Sequence, residues 1–487
     1  MNAEKIQQSV AMDIYPSSVK QVGDVTYFLG LHNHEKLIGC VGQGQIDGDE
    51  HGAIGGEPVT VGPTDHENAR VIRNLFPWTA PAPIGLETSI GLGDRLGLAT
   101  PGHIRAVEDL PIRPILAQQS IREMNRTRRT PEDVMDAATW GVFEEGYTGG
   151  FGSDADHLQT LDDIDDTAAE GFTLFTIDPG AHVENTADEL HVDHLADYYE
   201  KLDFDALEIS SNDLSARYVG RHFALDGGQT IEMDEIAFLR AAVKYGQAVA
   251  HTASMYRHLA GGVDRPFELE VSVDETEAPT TPGEHYFFAN ELKRLGVQWV
   301  SMAPRFIGRF EKGVDYIGDL DAFAASFAEH AAVMRTLGPY KISIHSGSDK
   351  FSIYPIVAEL TDGRVHLKTA GTSYLEALRT LAAVQPELFA EILDFARERY
   401  EDDKATYHVS ADVSKVPASA DLAPQKWPEL LEDFHAREVL HVTFGSVLTE
   451  DGGKRFGQRL LTALQRNEQD YYQALRTHLR RHAEPLV

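Results

Sequence analysis

The chain has 487 residues, 42% of them hydrophobic and 25% charged, with 43 Lys+Arg against 77 Asp+Glu and a formal charge of −34. Those proportions describe a foldable globular chain and exclude an acidic disordered tail, while the negative charge excludes nucleic acid and anionic membrane, which repel such a surface at long range. The single cysteine, Cys40, rules out an intrachain disulfide and a thiolate zinc site, and the lack of any long apolar run or apolar leader after Met1 points to a cytoplasmic location.

In chain order, residues 1–80 hold short β-like runs, Val25–Leu29 and Leu37–Val41, and end in the proline-rich stretch Phe76–Pro83. They read as an N-terminal β-rich appendage. Apolar β-like runs then begin near Ile84, Arg113, Gly149, Phe172, Glu268, Gln298, Lys341 and Val365. Most gaps between them carry a helix-period stretch, such as Pro131–Glu145 and Leu320–Leu337. Eight strands separated by helices predict an α/β fold, a (β/α)8 TIM-type barrel over 81–385, with one helical insertion at about 180–265. From 386 to 487 the amphipathic stretches Leu388–Tyr400 and Gln458–Arg481 predict a C-terminal helical extension packed on the barrel.

The basic residues are unevenly chosen: 14 Lys against 29 Arg, with no Lys between Lys36 and Lys201. This leaves two readings open, adaptation to high salt or compositional drift. The composition is compatible with a homo-oligomer and does not specify one.

In a barrel strand, alternate side chains face the lumen, and chemistry gathers at the C-terminal strand ends. In Glu268–Thr276, Leu269, Val271 and Val273 share one face, while Glu268, Glu270, Ser272 and Asp274 share the other. Carboxylates repeated toward an interior require a cation or a partner, because an unpaired buried charge costs several kcal/mol. In Lys341–Lys350, His345 falls at a strand end before a Gly/Ser turn, a suitable divalent-metal ligand beside carboxylates. Gly149–His157 places Asp154 and Asp156 on one face with His157 at the turn, either as ligands and a base or as the cap of the helix that follows. Asp156 and His157 reach the lumen together only if the strand ends between them. Lys368 and Arg305 supply positive charge for an acidic substrate, although Lys368 serves equally as a partner for a lumen carboxylate. Asp178 before Pro179 is a rim carboxylate or a turn initiator. Gly91–Gly97 imitates a dinucleotide fingerprint, but its third glycine is misplaced, so no nicotinamide cofactor is expected.

Through Gly93–His103, Ser153–His157, Phe175–Pro179, Val271–Thr276, Ala303–Ile317 and His345–Lys350, the chain resembles the tagaturonate/fructuronate epimerase family over about residues 85–420. The resemblance implies a divalent-metal-dependent isomerase, using zinc, manganese, nickel or cobalt, that interconverts two hexuronates in sugar-acid catabolism. Those two sugars differ at a carbinol adjacent to neither the ketone nor the carboxylate, so enolisation alone does not invert it. Retro-aldol cleavage and re-addition fits a cation-holding site better than transient oxidation does. The expected assignment places His157, Glu270 and His345 on the metal, Asp156 and Asp274 in proton transfer, and Arg305 and Lys368 on the substrate carboxylate; Glu270 and Asp274 are interchangeable in it. Metal-assisted hydrolysis of a sugar acid and a non-catalytic sugar-acid-binding barrel are the competing readings.

Overall fold

A computed structural model describes residues 2–487. The N-terminal strands are β1 (Asp13–Ile14), β2 (Lys20–Val22), β3 (Val25–His32), β4 (Glu35–Val41), β5 (Asp49–Ile54) and β6 (Glu57–Pro63), forming an antiparallel sheet in the order β1-β3-β4-β6-β5 with β2 on β3. Alternation along β3 and β4 gives this sheet two apolar faces. Tyr27, Leu29, Ile38 and the free Cys40 pack with Trp140 and Phe143 of the helix Pro131–Glu145, while Phe28 and Val41 pack with Ile6 and Met12.

The next strands are β7 (Ser89–Leu92), β8 (Arg113–Ser120), β9 (Gly152–Leu158) and β10 (Leu174–Ile177), followed by the hairpin β11 (Arg221–Ala224) and β12 (Thr230–Met233). Then come β13 (Glu268–Val273), β14 (Ser301–Pro304), β15 (Lys341–Ile344) and β16 (Val365–Thr369). Without the hairpin, β7 to β16 close a parallel eight-stranded barrel in chain order, and β16 pairs with β7. The eight predicted runs are these eight strands, the first beginning later than Ile84 because Ile84 and Gly85 are spent beneath the barrel. There their N–H groups donate to the Glu268 carboxylate, at 3.0 and 2.5 Å. Helix starts follow the sequence signals: Thr130 with Asp133, Thr160 with Asp163, and Thr281 with Glu284 are capping boxes.

The interval between β10 and β13 holds the helices Val192–Tyr199, Ser211–Tyr218 and Glu235–Gly262 as well as the hairpin, which the helical pattern does not anticipate. In the C-terminal segment, the stretch expected as one helix over Gln458–Arg481 is two, Gly457–Arg466 and Glu468–Ala483. The break falls at Asn467, whose side-chain amide donates to the Ala463 carbonyl at 2.8 Å and so competes with the backbone ladder. The second of these helices lies against Thr100–Val107. A Cβ at Gly102 would stand 2.7 Å from Leu475, so glycine sets that approach. No helix of the described residues is long and apolar enough to cross a membrane.

Candidate active site

At the C-terminal ends of the barrel strands a cleft is lined by Gln118, Asp156, His157, Asp274, Glu275, His345 and Lys368, with Arg95, Arg122, Glu123, Lys312, Tyr407 and His441 around them. A second cavity adjoins it, sharing Asp274, Glu275, Lys312 and His345, and adds Arg305 and Phe306.

The local backbone explains how β9 supplies two adjacent functional groups. His157 has φ +58°, and the β9–β10 register slips between Ala155 and Leu158. This bulge inserts an extra residue, so Asp156 and His157 both turn inward where a regular strand would send one of them to the helices. Glu270 and Ser272 alternate inward along β13, Asp274 follows its end, and His345 follows β15. Six of the seven candidate site residues, Asp156, His157, Glu270, Asp274, His345 and Lys368, meet in one cluster.

Lys368 is its hub. Its ammonium lies 2.8 Å from Asp154 Oδ2, 2.7 Å from Asp156 Oδ1 and 2.8 Å from Glu270 Oε1, and donates to Thr176 Oγ1 at 2.8 Å. Of these contacts, those with Asp156 and Thr176 are hydrogen bonds, and those with Asp154 and Glu270 are ion pairs. Glu270 is fully buried; it also faces His345 Nε2 at 2.6 Å and accepts from Ser301 Oγ at 2.5 Å. Asp156 faces His157 Nδ1 at 2.7 Å and accepts from Gln118 Nε2 at 3.1 Å. Asp274 Oδ1 lies 3.0 Å from His345 Nδ1 and 3.7 Å from His157 Nε2, with Ser272 Oγ donating to it.

Three carboxylates thus crowd around one lysine, with Asp274 on the two histidines, and the ionisation equilibria register the imbalance. Burial alone would push both imidazoles down, but Asp274 holds His345 up to about 9, and Asp156 holds His157 well above its ordinary value. Burial pushes Asp154 up to about 6 against the pull of Lys368. Glu270 and Asp274 stay well below the usual carboxylate range despite burial, the former through Lys368 and His345, the latter through His345 and His157. His157 Nε2 is buried and has no hydrogen-bond partner among the described residues. Asp156, His157 and His345 each bring a donor atom within 4.8 Å of the others, a spacing that a shared cation can close.

Arg305 stands apart from this cluster, in the outer cavity only. Asp178 makes an Asx turn, accepting from Gly180 N at 2.9 Å, and also binds the Gln159 amide. The pseudo-fingerprint Gly91–Gly97 ends β7 and turns on Asp94, whose carboxylate accepts from the N–H groups of Leu96, Gly97 and Ala99; this delivers Arg95 to the cleft. Ser120, Arg122 and Glu123 close or follow β8, and Lys312 follows β14. Sequence reasoning missed these residues, although the position of Ser120, Arg122 and Glu123 at or just past a strand end was a usable signal. Tyr407 and His441 arrive from the C-terminal extension, and no local pattern announces them. Gly371 admits His441, since a Cβ there would lie 1.7 Å from His441 Nε2.

A second histidine cluster is already satisfied. Asp349 meets Arg437 at 2.8 Å and His478 at 2.6 Å, and its N–H donates to His482 Nε2 at 2.9 Å, tying the loop after β15 to the last helix.

The model of the tagaturonate epimerase family matches residues 15–486. A tagaturonate/fructuronate epimerase of Thermotoga maritima is 42% identical over 477 residues, covering 97% of each chain. The fructuronate-tagaturonate epimerase UxaE of Cohnella laeviribosi is similar in two crystal structures, native and glycerol-complexed. They are 37% and 36% identical, each with a TM-score of 0.93 over 99% of both chains. Sequence along nearly the whole length and structure thus agree, and the chain belongs to the tagaturonate epimerase family.

Proposed function

We propose that the protein interconverts D-tagaturonate and D-fructuronate by breaking and re-forming the carbon–carbon bond beside the inverted carbinol, with a divalent cation held by His157 and His345. The observation that carries this reading is the buried, unpartnered His157 Nε2 among four carboxylates and one lysine at the mouth of the barrel. Its support from outside the chain is that relatives spanning the whole length are named for these two sugar acids.

The donor set fits a borderline cation such as zinc, manganese, nickel or cobalt, all of which take imidazole and carboxylate ligands. We assign Asp156 as the carboxylate donor with the two histidines, on the 4.8 Å grouping. Glu270 lies outside that grouping and instead orients the His345 ring, facing its Nε2. When bound, the cation supplies Lewis acidity to the ketone end of the substrate. Asp274 lines the cleft and its contacts with Ser272 and both histidines all fall on Oδ1, so Oδ2 is left to take the carbinol proton as the bond breaks. The aldehyde half then turns within the cleft before re-addition. Lys368, paired with Asp154, Asp156 and Glu270, holds the carboxylates in place; Arg305 contributes positive potential in the outer cavity.

The test is to incubate metal-loaded and chelated protein with D-tagaturonate and follow D-fructuronate by NMR. Conversion is expected only with metal, and no conversion by the metal-loaded protein refutes the proposal.

A further inference from the structure

Among the described residues, four lysine or arginine side chains line the inner cleft: Arg95, Arg122, Lys312 and Lys368. Three are already neutralised. Lys368 holds three carboxylates, Arg122 meets Glu275 at 2.8 Å, and Arg95 meets Glu123 at 2.8 Å through its Nε. Among the described residues Lys312 makes no ion pair, and its ammonium has a single hydrogen bond, donated to Ser346 Oγ at 2.6 Å. Burial lowers its pKa below the ordinary lysine value, against the weaker pull of Glu275, which stands beyond ion-pair distance.

The loop that carries Lys312 is pinned on both sides. The Lys350 ammonium, itself fully buried, donates to the carbonyls of Glu311 at 2.7 Å and Val314 at 2.6 Å, and Arg437 donates to the carbonyl of Gly313. Two buried cations therefore hold the backbone of 311–314, while the Lys312 side chain is left to face the junction of the two cavities. Its anchor, Ser346, directly follows His345 in the chain, so the free ammonium stands close to the reacting centre. Arg305 also lacks an ion pair among the described residues but lines only the outer cavity.

We propose that Lys312 binds the carboxylate of the substrate and thereby sets the preference of this site for a hexuronate over the corresponding neutral ketohexose. The inference deepens the function proposed above and rests on it. A hexuronate carries its carboxylate at the end of the chain remote from the ketone. With the ketone end at the histidine cluster, the one lysine or arginine of the inner cleft without an ion pair among the described residues is the group that recognises the other end.

The experiment compares wild type, Lys312→Met, Lys312→Arg and Arg305→Met. Turnover of D-tagaturonate is measured, and binding of D-tagaturonate and of neutral D-tagatose is followed by calorimetry on the metal-loaded enzyme. Lys312→Met is expected to weaken uronate binding and raise KM about 10–100-fold, with a smaller change in kcat and an unchanged affinity for D-tagatose. Lys312→Arg is expected to recover part of the loss, and Arg305→Met to have the lesser effect. The proposal is overturned if uronate affinity survives Lys312→Met, if both ligands lose affinity in step, or if Arg305→Met causes the larger loss. Wild-type protein that binds D-tagaturonate but does not convert it would count against the proposed function alone, since the binding comparison still decides the role of Lys312.

Discussion

Replacing Lys368 by Met removes the ammonium that pairs with Asp154, Asp156 and Glu270 while roughly preserving side-chain volume. In the native protein it lies 2.7–2.8 Å from all three, and each of those residues is nearly or fully buried. Breaking one side of a buried ionic cluster costs about 3–5 kcal/mol, because the remaining charges are left uncompensated. With an unfolding entropy near 2.1 cal/mol/K per residue over all 487 residues, that cost lowers the melting temperature by roughly 3–5 °C when the chain unfolds as one unit. The loss depends on pH in a definite direction. Removing the ammonium raises the folded-state pKa of each carboxyl; Asp154, already pushed up to about 6, moves higher still. A raised folded-state carboxyl pKa destabilises fully above that pKa, and the penalty shrinks as the pH falls from the folded-state toward the unfolded-state value. The difference between wild type and variant is therefore larger at pH 8 than at pH 5. Thermal melts of chelated wild type, Lys368→Met and Lys368→Arg at the two pH values measure it. Equal melting temperatures at pH 8, with only KM changed, would refute the structural role and return Lys368 to the substrate.

Further expectations concern the proposed cation and the surface. His345→Ala is expected to abolish both stoichiometric metal, read by elemental analysis, and activity, whereas Asp274→Asn keeps the metal and lowers kcat by about 100-fold or more, the scale of a lost proton-transfer group. Because Asp274 holds His345 up to about 9, a cation competes with a proton there. Metal affinity is accordingly expected to rise with pH up to that value, and calorimetry in buffers of different ionisation enthalpy should show net proton release. The charge of −34 predicts a melting temperature that rises with potassium chloride as self-repulsion is screened; equal stability at low and high salt would favour compositional drift.

Alternation along β13 and β15 makes Glu270, Asp274 and His345 legible as inward residues from the sequence, because a period of two is a local property of an extended chain. The order of the eight barrel strands is legible for a similar reason, since consecutive β and α periods leave few ways to bury both faces of a parallel sheet. The apposition of Asp156 and His157 is not legible, since it depends on a bulge set by the pairing of β9 with β10. The extra hairpin β11–β12 and the break at Asn467 escape the pattern because amphipathic spacing alone does not register a local competitor for the backbone.

Sequence by itself thus determined which side chains of the regular strands β13 and β15 face the barrel interior and that the interior is rich in carboxylate. Tertiary structure decided how those charges are shared. Lys368, a candidate for the substrate, is taken up by three carboxylates on neighbouring strands, while Lys312, in the loop after β14, is left without a counterion among the described residues. The reason is that a residue's period along the chain follows from covalent geometry, whereas its charge partner depends on distances in space between segments as remote as residues 154 and 368.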